Sequence, residues 1–177
     1  MMMLQSSGMS PLSDRFERAG PVTKLLVGVA GFVLLYIIAS VVPPGFDWMV
    51  FFGRGIAPAF FVPWIQWVLP LLTWPLVVSL TMIALGWATW RRKGDPLTLL
   101  LVLFNLPVMW TVFLGQLDGL ALLGLCLMPG GIVLALLKPQ LTAFAMFANR
   151  RWFVAAAIWG VLSLIIWGLW PLNLVTR

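Results

Sequence analysis

Four charged side chains stand inside or beside apolar stretches of this 177-residue chain: Asp47, Arg54, Asp118 and Lys138. A charge at membrane depth costs about 2.5–3.5 kcal/mol on insertion scales, so each marks a candidate site. Carboxylates can act as general bases, and basic groups can hold a phosphate. Gln116, two residues before Asp118, adds an amide that donates and accepts hydrogen bonds. Other chemistry is excluded by count. Without histidine the chain lacks the commonest haem, copper and iron ligand and the usual general base near neutral pH. Its one cysteine, Cys126, permits neither an internal disulfide nor a cysteine cluster for zinc. No metal and no cofactor is expected.

The elements that must position these groups are helices in a membrane. The chain is 62% hydrophobic and 9% charged, whereas a soluble domain carries about 25% charged residues. Its net charge of +6 comes from basic residues scattered between apolar runs. Nucleic acid would need a contiguous stripe, so the excess reads as topology and contact with anionic membrane lipids. An all-α, polytopic fold with about five spans is expected, some broken or re-entrant.

Residues 1–23 read as a cytoplasmic tail, with no cleaved signal peptide. The tail holds a short interfacial helix capped by Ser10, with Pro11 at its first position and Asp14 four residues before Arg18; Gly20-Pro21 ends it. Residues 24–170 form the transmembrane domain. Leu25–Val42, Leu71–Trp90, Leu97–Leu114 and Trp152–Trp170 read as simple spans. Pro43–Trp67, interrupted by Pro58 and Pro63, reads as a loop with a partly embedded hairpin. Gly119–Ala148 is too long for one crossing and too short for three, and breaks are expected at Pro129-Gly130-Gly131 and Lys138-Pro139. Residues 171–177 form a short tail.

Five crossings put Arg15, Arg18, Lys24, Arg91, Arg92, Lys93, Arg150 and Arg151 on one side, which is then cytoplasmic. The chain is expected in the cell membrane, with its N-terminus inside and its C-terminus on the outer side. Among eleven tryptophans, Trp48, Trp64, Trp67, Trp74, Trp90, Trp152 and Trp170 fall near span ends and suit interface belts, while Trp87, Trp110, Trp159 and Trp167 fall within or near span interiors, where packing is the default. Trp152, Trp159 and Trp167 are seven and eight apart, so they share one stripe of the last span, a candidate surface for a partner subunit.

The turn Gly115-Gln116-Leu117-Asp118, the stretch Gly131 to Lys138-Pro139, and Arg150-Arg151-Trp152 together resemble the GT-C membrane glycosyltransferases of the polyprenyl-phosphate mannosyltransferase type. Phe46-Asp47-Trp48-Met49-Val50-Phe51-Phe52 resembles their first outer loop. The resemblance implies that Asp47 takes the proton of an acceptor hydroxyl attacking a sugar on a polyprenyl phosphate. It implies that Lys138 or Arg54 steadies the leaving phosphate and that Gln116 and Asp118 bind sugar hydroxyls. Family members are commonly more than twice this length, so the likeness is to their first half.

Each candidate also has a plainer role. Asp47 and Arg54 could be a solvated loop pair, Gln116 and Asp118 could satisfy a broken helix end, and Lys138 could snorkel or neutralise Asp118. Two functions therefore stand open. One is an accessory or scaffold subunit of a larger membrane complex, an electron-transfer assembly being one setting, with other integral-membrane subunits as partners. The other is a transferase using a polyprenyl-phosphate sugar, alone or with a second polypeptide.

Overall fold

Proline stands in the first turn of several described helices, three of which also have a capping side chain just before it. The structure, a computed structural model, describes residues 20–52, 62–92 and 95–175. Those residues form helices and connecting turns, with no strand among them. Helix α1 (Pro21–Ser40) starts on Pro21, whose fixed φ suits a first turn. A π-helical turn follows at Trp48–Phe52, then α2 (Ile65–Val68), continued by a 3-10 turn at Leu69–Leu71. Helix α3 (Trp74–Arg91) is capped by the Thr73 hydroxyl, which accepts from the Leu76 N–H at 3.4 Å. Asp95 caps α4 (Pro96–Leu103), and Asn105 caps α5 (Leu106–Leu114), accepting from the Val108 N–H at 2.9 Å. The remainder comprises α6 (Asp118–Cys126), α7 (Ile132–Ala135), α8 (Pro139–Met146), α9 (Arg150–Trp167) and α10 (Trp170–Val175).

The number of spans differs from the expected five. Among the described residues, α1 and α9 alone are single helices long and apolar enough to cross a membrane. The count rises to four if each of two bent pairs is one span: α2 with α3, bent by 103°, and α4 with α5, bent by 43°. Leu97–Leu114 was expected as one straight span, but Asn105 begins a new helix and Pro107 in its first turn lacks an N–H to continue the old one. Gly119–Ala148 is divided into helices of nine, four and eight residues. Its breaks are residues 127–131, which contain the expected Pro129-Gly130-Gly131, and residues 136–138, which end where Pro139 opens the next helix. The expected interfacial helix at Ser10–Arg18 lies outside the described residues.

Helix α3 is the centre of the packing, with α1, α4 and above all α6 against it. Apart from Trp74 in the first turn, its buried positions are small or β-branched: Val77, Val78, Ser79, Thr81, Ala84 and Thr89. The Ser79 and Thr81 hydroxyls bond back to the Pro75 and Val77 carbonyls at 2.7 and 2.8 Å, so no polar group is stranded where the helices close. Gly119 of α6 lies against the Thr81 side chain, and Cys126 Sγ approaches the Ala84 carbonyl at 4.0 Å. Helices α3 and α6 therefore run in the same sense. Helix α7 folds back on α6, where Gly124 meets the backbone of Gly131 and Ala135 so closely that a β-carbon would overlap it. By contrast, only 6% of each spanning window of α1 and α9 is buried within the chain. Apolar faces left open to this extent on isolated helices are what a bilayer accepts and water does not.

Candidate functional site

The loop after α1 and the turn after α5 meet backbone to backbone. Gly115 closes α5 with φ 77°, a left-handed geometry that favours glycine, and its N–H and that of Gln116 return to the Thr111 carbonyl. A β-carbon on Gly45 would overlap the Gly115 nitrogen, and one on Gly115 would lie 2.9 Å from the Trp48 nitrogen. The crossing brings the Asp47 loop beside the Gln116 turn, although 69 residues separate Asp47 from Gln116. Trp48 also packs on Trp74 with ring centroids 5.7 Å apart, and the Trp74 N–H donates to the Val42 carbonyl at 3.1 Å. Together these contacts hold the loop against the N-terminal end of α3.

Asp118 lies at the start of α6, where the helix dipole favours a carboxylate. Its Oδ1 is buried and pairs with the Lys138 ammonium, meeting no other donor among the described residues. Lys138 is the residue before α8 and is only 12% exposed at its side chain, against 28% for Asp118. The break that carries Lys138 is itself satisfied: the Thr142 hydroxyl reaches the Ala135 carbonyl at 2.7 Å and the Lys138 carbonyl at 3.3 Å. The α6–α8 segment thus brings its two charges together and closes them on each other.

Asp47 and Gln116 are both half-buried, and neither side chain has a hydrogen bond or ion pair among the described residues. Arg54, the proposed partner of Asp47, lies outside the described residues. Asp47 thus follows one side of the Gly45–Gly115 crossing by two residues, Gln116 and Asp118 follow the other by one and three, and Lys138 joins through its pair with Asp118. Three come from the chain between Gln116 and Lys138 and the fourth from the loop packed on it. Among the described residues no three histidine, cysteine or acidic side chains group as a metal site would require.

The tryptophans are used differently from their sequence reading. Trp159 and Trp167 do not form an outward stripe, because both pack within the chain. Trp159 meets Trp64 edge-on at 5.6 Å and 87°, and Trp167 lies 4.4 Å from Trp67 and 6.1 Å from Trp64. Trp170 meets Trp64 edge-on at 5.2 Å and donates to the Ser163 hydroxyl at 3.1 Å. Trp152 is half-buried. Trp64 and Trp74, read as interface residues, are core: both are buried, and the Trp64 N–H donates to the Val133 carbonyl at 3.2 Å. Spacing along one helix located the tryptophan row, but it held no sign that Trp64, almost a hundred residues earlier, would receive it. The outward face of α9 carries Val154, Ile158, Val161 and Ile165 instead, at helical spacing and all exposed.

Compared with protein-family models, curated proteins and solved structures, the chain matches none of them.

Proposed function

We propose that the chain is an accessory or scaffold integral-membrane subunit of a larger membrane complex, built on a half-length scaffold of the GT-C kind. The closed Asp118–Lys138 pair carries this reading. A transferase of that kind needs a positive charge free to meet a lipid phosphate, and of the two candidates Lys138 is already neutralised inside the chain while Arg54 lies outside the described residues. The described arginines, Arg91, Arg92, Arg150 and Arg151, stand exposed at helix ends.

In this proposal the chain crosses five times, as α1, α3, α4 with α5, the folded α6–α8 segment, and α9. The basic helix ends then share the cytoplasmic side with the N-terminus, and the C-terminus is outside. Supporting it, the C-terminal end of α1 meets the N-terminal end of α3, where the Tyr36 and Thr73 hydroxyls are 3.3 Å apart. The partner-facing surface is the α9 stripe of Val154, Ile158, Val161 and Ile165, not the tryptophans.

Gentle purification from native membranes followed by native mass spectrometry tests the reading. Stoichiometric integral-membrane partners are expected, and a lone chain carrying a polyprenyl lipid would overturn it. The double variant Ile158→Phe, Ile165→Phe keeps α9 apolar but changes its shape, so partners should wash away while insertion is unchanged. Partners retained as in the wild type would remove the α9 stripe from the proposal.

A second reading is favoured by the Gly45–Gly115 crossing, which sets the Asp47 loop beside Gln116. In a transferase acting at the outer face, Asp47 would accept the proton of the acceptor hydroxyl as it attacks a sugar on a polyprenyl phosphate. Asp47→Asn should then abolish sugar transfer at unchanged abundance. Wild-type transfer by that variant would dispose of the assignment.

A further inference from the structure

An apolar groove of about 640 Å³ runs between α1, α3 and α4. Leu35 of α1, Met82, Gly86 and Trp90 of α3, and Leu99 and Leu103 of α4 line it. Gly86 keeps the floor low: a β-carbon there would meet only Leu99 Cδ1, at 3.9 Å, so the space above α3 at this point is open. Met82 to Trp90 spans roughly 12 Å of helix axis. The groove is lined almost wholly by apolar side chains and is open along its length, a surface that hydrocarbon chains can fill.

Its end is charged. Arg91 follows Trp87, another lining residue, by four positions and so continues the same row of α3 past the groove. Arg91 and Arg92 are exposed and have no ion-pair partner among the described residues. Trp90 beside them is 64% exposed, as suits a ring at the level of lipid head groups. Apolar walls ending in unpaired cations fit a molecule with a hydrocarbon tail and an anionic head.

We infer that this groove holds an acyl chain of an anionic phospholipid, with the lipid phosphate at Arg91 and Arg92. The inference rests on the membrane placement of α1, α3 and α4 and not on the subunit reading, so either can fail without the other. The full chain is reconstituted in nanodiscs of equal parts phosphatidylglycerol and phosphatidylcholine and extracted into mild detergent. Native mass spectrometry then identifies the retained lipid. Phosphatidylglycerol should be retained over phosphatidylcholine, and Arg91→Gln should cut that preference about fivefold, the effect of one basic residue near an anionic surface. Gly86→Leu fills the groove and should lose the retained lipid whatever its head group, whereas Gly86→Ala should keep it. Should Gly86→Leu fail to fold, Leu103→Trp fills the same space from α4. Equal retention of both lipids by the wild type, or wild-type retention by a folded groove-filling variant, overturns the inference.

Discussion

Lys138 and Asp118 are worth little as a pair and a good deal as a pairing. Bringing both out of water costs about as much as their attraction returns, whereas removing one leaves the other charged, half-buried and alone. Lys138→Ala and Asp118→Ala should each lower stability by about 2–3 kcal/mol in detergent unfolding, allowing for the partial exposure of the carboxylate. The double variant Asp118→Asn, Lys138→Met should recover most of the loss. Single variants of wild-type stability would show that the pair does not hold the α6–α8 fold. This contact was legible in the sequence, because two opposite charges in an otherwise apolar stretch have few other ways to be satisfied. The Asp47 environment was not: it depends on Gly45 meeting Gly115, and a glycine contact leaves no side-chain pattern to read. The inward turn of Trp159 and Trp167 was equally hidden, since periodicity identifies a shared stripe but not the direction it faces.

Helix boundaries followed local chemistry more faithfully than span boundaries did. The breaks at Pro129-Gly130-Gly131 and Lys138-Pro139 announce themselves, but the Asn105-Leu106-Pro107 start of α5 was read through as continuous span because its neighbours are apolar. Two consequences can be measured at this scale. Gly45→Ala and Gly115→Ala should each cost about 2–3 kcal/mol, from overlap with backbone at the first and from left-handed φ plus close contact at the second. Gly28→Ala and Gly31→Ala, with open space around them, should be neutral or slightly stabilising. Equal effects at all four positions would mean that the crossing does not constrain the fold. The second consequence concerns Asp95, whose carboxylate accepts from the Thr98 N–H at 2.6 Å. The Thr98 side-chain and backbone hydrogen bonds hold it below the usual carboxylate pKa. A depressed folded pKa means the cap stabilises above the unfolded pKa of about 3.9 and is lost as pH falls through the lower, folded value. Protection of the first turn of α4 against amide exchange, taken relative to the intrinsic rate at each pH, should therefore fall on acidification. Asp95→Asn, which caps without titrating, should remove that dependence; an unchanged acid response in the variant would assign it elsewhere.

At the scale of the whole molecule, a tightly packed unit of α3, α6 and α7 carries outlying helices that give most of their surface to whatever surrounds them. Composition alone foretold a helical membrane protein, but not this division, which comes from small residues at closely spaced contacts: Thr81 against Gly119, and Gly124 against Gly131 and Ala135. The break that joins that unit to α8 is closed by a hydroxyl. Thr142 shares one proton between the Ala135 and Lys138 carbonyls, at the point where the chain gives up helix in the interior. Replaced by the isosteric Thr142→Val, the Ala135 carbonyl would keep its need for a donor while the Lys138 carbonyl still accepts from the Leu141 N–H at 3.0 Å, and the nearest remaining supply is water. The variant should therefore admit a hydrated seam between α7 and α8, read as faster deuterium uptake there in detergent and in nanodiscs alike, and uptake at the wild-type rate would show the break to be satisfied without it. Dryness at this break is, on this account, the work of a single threonine.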